Sequence, residues 1–247
     1  MTLRLRCLAG PNGSGKSTLF ASMQEEYKVD FYTFVNADEI NVQLVGGQVC
    51  YLPFPMQKRS LKTFVRKSSF PEEYKALFVW DRIQVQNVKV SFDKKDLSDK
   101  KSEVIATILA DFIREMLIAR QQSFSFESVF SHPSKIGILK EAQEKGFKNY
   151  LYFIATDNPE LNQKRVRDRV LQGGHDVPPD KIISRYFRCL ENVRQTFPYL
   201  YRGFFFDSTE STRYLAEYHS VKQELILHVP DEELPDWFRK YILEEGR

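Results

Sequence analysis

Between an apolar run from Leu3 to Ala9 and the helical-looking run Ser17-Thr18-Leu19-Phe20-Ala21-Ser22-Met23 stands the octapeptide Gly10-Pro11-Asn12-Gly13-Ser14-Gly15-Lys16-Ser17. A strand, a glycine-rich turn and a helix in that order admit few folds. Glycines let the backbone curl until several N–H groups point inward, and the helix that follows presents the positive end of its dipole to the same point. The octapeptide fits the spacing G-x-x-x-x-G-K-[ST] of a phosphate-binding loop. Lys16 is therefore expected against the β- and γ-phosphates of ATP, and Ser17 as a ligand of Mg2+. Gly10, Pro11, Asn12, Gly13, Ser14, Gly15, Lys16, Ser17 and Thr18 together make the expected ATP-binding segment.

A chain of 247 residues is long enough for one large α/β domain carrying an embellishment. With 36 Lys and Arg against 33 Asp and Glu, the formal charge of +3 is too small to argue for nucleic acid. Cys7, Cys50 and Cys189 are scattered without metal-ligand spacing, which suits reduced thiols and makes zinc an unsuitable reading. No apolar stretch approaches the roughly 18 residues a membrane-spanning helix needs. The expectation is a cytoplasmic protein with no membrane partner.

Along the chain, Phe31-Tyr32-Thr33-Phe34-Val35 predicts a second strand that ends at Asn36-Ala37-Asp38-Glu39-Ile40. The pattern then loosens, and residues 42–101 read as an insertion with a strand or hairpin near Val85 to Val90. Residues 56–101 hold twelve Lys and Arg against six Asp and Glu, so this segment is more basic than the whole. Either it is a solvated lobe or it meets an anionic substrate or partner. Val104, Ile105, Ile108, Leu109, Phe112, Ile113, Met116 and Leu117 recur at helical spacing and predict a core-facing helix.

Ser123 to Phe126 predicts a strand with Glu127-Ser128 at its end, where α/β sheets place their ligands. A helix from about Ser134 to Gly146 and a buried strand from Tyr150 to Ala155 follow. Asn158-Pro159 is a helix start, a capping side chain with proline in the first turn, and that helix is expected to run to Gly173-Gly174. It carries Arg165 and Arg169 on one face. A second helix from near Asp180 carries Arg185 and Arg188, so residues 159–196 read as an arginine-bearing helical lid with a glycine hinge. Phe204 to Asp207 reads as the last core strand, followed by a tail without an assigned role. The fold class is thus an α/β P-loop fold of the kinase type: one domain over residues 1–247, with a mostly parallel sheet, an inserted lobe and a lid.

Phosphoryl transfer asks a protein for positioning and charge neutralisation. Asp38, at the end of the second strand, reads as the acceptor of a substrate hydroxyl proton or as a helix N-cap. Glu127 is expected to orient substrate or to hold Mg2+ through water. Arg169 and Arg185 are the expected phosphate clamps, because guanidinium donors match phosphate geometry. Arg165 and Arg188 read as clamps or as surface charges, and His175 as a substrate contact or a loop residue.

These residues resemble the zeta-toxin-like family of P-loop kinases. The resemblance rests on Gly10 to Thr18, Asn36-Ala37-Asp38-Glu39-Ile40, Phe126-Glu127-Ser128, and Arg165 through Pro178 with Arg185-Tyr186 beyond. It implies ATP-dependent phosphorylation of a small-molecule hydroxyl, for toxin members the sugar 3′-hydroxyl of UDP-N-acetylglucosamine, and an antitoxin or other protein partner. Lys16, Asp38, Glu127, Arg169 and Arg185 then form the expected catalytic set. The departure is the long stretch between Ile40 and the Val104 helix, where the acceptor is expected. Two other readings stand beside the kinase: a P-loop ATPase switch that docks a protein partner, and a polynucleotide kinase using the basic segment.

Overall fold

The computed structural model describes residues 2–173 and 177–244, and of Asp99 the backbone alone. In chain order the elements are β1 (Arg4–Ala9), α1 (Lys16–Glu25), β2 (Thr33–Val35), α2 (Ala37–Gly47), β3 (Val49–Tyr51), α3 (Lys58–Lys67) and α4 (Glu72–Lys75). Next come β4 (Gln84–Gln86), β5 (Lys89–Ser91), α5 (Asp99–Ala119), β6 (Phe124–Ser128), α6 (Ser134–Glu144), β7 (Lys148–Ala155) and α7 (Pro159–Leu171). The chain closes with α8 (Pro179–Val193), β8 (Arg202–Asp207), β9 (Arg213–His219), β10 (Glu224–Leu227) and α9 (Asp236–Phe238). Two compact units result, one of Met1–Tyr32 with Gln121–Arg247 and one of Thr33–Arg120.

In the first unit the strands neighbour one another in the order β10-β9-β8-β7-β1-β6. β1 pairs in parallel with both β6 and β7, and β7 pairs in parallel with β8. Central parallel strands are covered on both faces and read as near-continuous apolar runs. Leu151, Phe153, Ile154 and Ala155 of β7 are accordingly fully buried. On one face, Leu8, Leu19, Met23, Phe31, Tyr152, Ile154 and Phe206 form a single cluster that seats α1. Arg4 and Arg6 occupy the half-buried positions of β1. Arg6 donates to the Asp30 carbonyl at 2.8 Å and lies 4.8 Å from the centre of the Tyr150 ring.

The sheet does not end at Phe204–Asp207. β9 returns antiparallel along β8, and β10 pairs with β9 in turn. The tail from Arg213 is therefore sheet edge. Its alternation is broken because Leu215 is an extra residue between the pairs Phe205–Ala216 and Phe206–Tyr214. A bulge of this kind puts Leu215 and Ala216, adjacent in sequence, both in the interior.

In the second unit β3, β5 and β4 form a small antiparallel sheet in that spatial order. Asn87 turns the β4–β5 hairpin with φ 56°, a left-handed conformation that asparagine tolerates. The helical spacing that runs from Val104 belongs to α5, which buries Ile105, Ile108, Leu109, Phe112, Ile113 and Leu117. Phe112 meets Phe54 and Phe64 edge-on, with ring centres 6.3 and 5.3 Å away. The stretch 42–101 therefore belongs to a unit with its own buried aromatic cluster. Among the described residues no helix is long and apolar enough to cross a membrane.

Candidate active site

β1 delivers the chain to Gly10 from a buried strand end. The Gly10 N–H donates to the carbonyl of Ser128, the last residue of β6, at 3.3 Å. A Cβ on Gly10 would stand 2.1 Å from the carbonyl oxygen of Ile154 in β7, so a larger residue cannot make this step from strand to loop. At Gly13 φ is +76°, and a Cβ would lie 2.6 Å from the carbonyl oxygen of Asn162 in α7. Conformation and contact both demand glycine there. α1 then begins with Gly15 as its N-cap, with no side chain capping it and no acid in its first turn. Uncapped N–H groups and an uncompensated dipole end are what an incoming phosphate requires.

Lys16 is buried. Its Nζ donates to the carbonyls of Gly10 and Pro11, both at 3.0 Å, and lies 3.7 Å from Glu127 Oε1. A buried ammonium costs several kcal/mol without such partners, of order that for any unpaired charge in the interior. Glu127 reaches this position because β6 runs parallel to β1 in the register Leu8 to Glu127. The turn beyond β6 is held in an uncommon conformation. Phe130 is buried with φ 61°, its N–H donating to Ser128 Oγ and its carbonyl accepting from Asn192 Nδ2, each at 3.0 Å. Left-handed non-glycine backbone costs on the order of 1–3 kcal/mol and persists where its surroundings enforce it.

The loop is held from outside by residues that local sequence patterns do not reveal. Asn162 is wholly buried on α7, and its Nδ2 donates to the Asn12 carbonyl at 2.5 Å. Its Oδ1 accepts from Thr156 Oγ1 at the end of β7. The Thr156 carbonyl accepts in turn from the Tyr186 hydroxyl of α8 at 2.6 Å, and burial pushes the pKa of that phenol up. On the other side Ser208, just past β8, donates its hydroxyl to the Ser14 carbonyl at 2.9 Å. Arg165 of α7 donates to Ser208 Oγ at 3.2 Å and to the Ser208 carbonyl at 2.7 Å. Arg165 is thus a strut between α7 and the end of β8. The periodicity of α7 marks Asn162 as an interior position, but only the fold shows what it touches.

Arg169 lies exposed near the C-terminal end of α7, and Arg185 is half-buried on α8. The two helices are joined by a small apolar cluster of Val166, Val177 and Ile182, with Val170 against it. Arg188 is exposed and folds back onto Ser184 of its own helix. Gly174 and His175 lie outside the described residues. In the second unit, Asp38 is an exposed residue in the first turn of α2, and its N–H donates to Asn36 Oδ1 at 2.8 Å. Asn36 is therefore the N-cap, and Asp38 and Glu39 are the two acids at the positive end of that helix.

The loop residues suit a nucleotide triphosphate. Two of their buried polar atoms, Asn12 Oδ1 and Ser14 Oγ, have no hydrogen-bond partner among the described residues. Ser17 and Thr18 are exposed residues in the first turn of α1. Among the described residues no three His, Cys, Asp or Glu gather as a metal site.

The family model for zeta toxins matches residues 85–200, a span that includes Glu127, Arg169 and Arg185 and begins after the phosphate loop. A protein of Haemophilus influenzae with no described function is 36% identical over 69 residues, which are 28% of this chain and 49% of that one. Among solved structures, the AvrRxo1-ORF1:AvrRxo1-ORF2 complex with sulphate ions superposes with a TM-score of 0.59 at 15% identity, over 92% of this chain and 61% of that one. The same complex with ATP gives 0.57 at 16% identity. A structure from the PezAT toxin–antitoxin system of Streptococcus pneumoniae gives 0.52 at 14% identity, over all of this chain and 80% of that one. The chain spans less than two thirds of the AvrRxo1 chain and aligns with about half of the Haemophilus protein. At these identities the structural likeness is one of fold. The resemblance to zeta-toxin-like P-loop kinases holds over residues 85–200, and the mostly parallel α/β fold is shared with these structures.

Proposed function

We propose that this protein transfers the γ-phosphoryl group of ATP to a hydroxyl of a small molecule, with a nucleotide sugar such as UDP-N-acetylglucosamine as the leading acceptor class. The observation that carries the proposal is Lys16, held at the mouth of an uncapped helix with Glu127 3.7 Å from its ammonium. A cation and an acid at adjacent strand ends suit a donor phosphate beside an acceptor hydroxyl.

In this reading the backbone N–H groups of Gly13 and of Gly15 to Thr18, with the Lys16 ammonium, bind the β- and γ-phosphates, and Ser17 contributes the protein oxygen to Mg2+. When bound, Mg2+ neutralises phosphate charge and fixes the donor's orientation. Asp38 takes the acceptor's hydroxyl proton. The freed oxygen bonds to the γ-phosphorus, the bond to the β,γ-bridging oxygen breaks, and that oxygen carries its electron pair away with ADP. Glu127 orients the acceptor, and Arg169 and Arg185 on the α7–α8 lid stabilise charge on the transferring group. A protein partner of antitoxin type is part of the same proposal, supported by the toxin–antitoxin context of the PezAT neighbour.

The test is transfer of label from γ-labelled ATP across a panel of hydroxyl-bearing metabolites that includes UDP-N-acetylglucosamine. Acceptor-dependent transfer is the expected result. Vigorous ATP hydrolysis with no labelled acceptor would sink the kinase reading and favour an ATPase switch.

A further inference from the structure

Two carbonyls of the phosphate loop are tied to residues far away in sequence, Asn12 to Asn162 and Ser14 to Ser208. A trans peptide is planar, with its C=O and N–H on opposite sides. Fixing the Asn12 carbonyl toward α7 therefore turns the N–H of Gly13 to the other side, and fixing the Ser14 carbonyl toward the end of β8 does the same for the N–H of Gly15. We infer that Asn162 and Ser208 are positioning residues that set the direction of the loop's N–H donors and thereby its affinity for a polyphosphate. The inference rests on the reading of Gly10 to Ser17 as a nucleotide-phosphate loop.

The anchors are themselves over-determined. The Asn12 carbonyl can only accept, so the Asn162 amide cannot exchange O for N without losing that bond, and Thr156 Oγ1 holds its other end. Ser208 donates its hydroxyl to the Ser14 carbonyl and accepts from Arg165. Asn162 and Arg165 stand one turn apart on α7, so one helix face governs both ends of the loop. Without either anchor a glycine-rich peptide plane is free to rotate, and an N–H turned away from the phosphate stops contributing. Arg169 lies on the same helix, two turns beyond Asn162.

The probe is inorganic triphosphate with Mg2+, which tests the loop without a base or an acceptor, titrated calorimetrically into the full-length protein. Asn162→Ala and Ser208→Ala should each weaken binding by about ten-fold, the effect expected when a hydrogen bond to a charged group is lost. Thr156→Val, which keeps shape but releases the Asn162 amide, should weaken it less. Adenosine binding is the readout that a general loss of structure would move, and it should stay within about two-fold in all three. Should Asn162→Ala fail to fold by circular dichroism, Ser208→Ala carries the test. Folded variants of both that bind triphosphate like the parent overturn the inference. A parent protein that binds no triphosphate overturns the nucleotide reading itself, and the inference with it.

Discussion

The Lys16 ammonium, at the first turn of α1, and the Glu127 carboxylate, on β6, are 3.7 Å apart, brought together by the parallel register of β1 and β6 across more than a hundred residues of chain. Lys16 is buried and Glu127 half-buried, with side-chain exposures of 7% and 21%. The Lys16 ammonium is also held by the Gly10 and Pro11 carbonyls, so its place does not rest on Glu127 alone. Lys16→Ala should weaken ATP binding by at least about a hundred-fold. Glu127→Gln should leave ATP binding within about three-fold and lower transfer by about a hundred-fold or more. Equilibrium binding of a fluorescent ATP analogue, run beside the transfer assay, separates the two.

Asp38→Asn preserves the size of the side chain and removes the proposed proton acceptor. Transfer should fall by about 10²- to 10⁴-fold with ATP affinity retained. Equal loss of binding and transfer would withdraw the base assignment.

Gly13→Ala forces a Cβ against the Asn162 carbonyl at φ +76°. We expect a loss of about 2 kcal/mol or more in urea unfolding, together with loss of triphosphate binding. An alanine variant as stable as the parent would show that the loop relaxes away from α7.

Burial alone raises the Glu217 pKa, but the hydrogen bond and charge of Arg202, with help from Tyr214, bring it below the ordinary 4.5. The folded state therefore holds its proton less tightly than the unfolded chain. The stabilisation is present above pH 4.5 and is lost as pH falls from there through the folded value. Glu217→Gln should flatten that acid limb of the stability curve while costing about 1 kcal/mol or less at pH 7.

All three cysteines are buried, and burial pushes the Cys50 thiol up to about 12 and the Cys189 thiol higher still. Iodoacetamide at pH 8 should leave the folded protein unlabelled and should modify three thiols after unfolding, as mass spectrometry would read.

The phosphate loop was legible in the sequence because its constraints are local: glycine spacing, a strand before it and a helix after it. Asn158 was legible for the same reason, since its side chain caps α7 by accepting from Leu161 N. Asn162 and Ser208 were not, because each acts on a loop carbonyl far away in the chain that only the parallel sheet brings near. The strand β9 was hidden by the bulge at Leu215, which breaks the period of two by which a half-buried strand is recognised, and β10 is only four residues long with no buried face. Asn36 and Asp38 are two residues apart at a helix start, and either suits the cap. Backbone geometry decided for Asn36.

The pairing of β1 with β6 joins Leu5 to Phe124, and the whole second unit lies between them in the chain. Closing so long a loop costs entropy that grows with the logarithm of its length, and long-range parallel pairing is slow to nucleate. A second unit that collapses on its own withdraws most of those residues from the loop still to be closed. The Gly10 N–H finds the Ser128 carbonyl only once that closure is made. A chain still emerging from the ribosome at residue 120 lacks the β6 strand and the Ser128 carbonyl that hold the first residue of the loop.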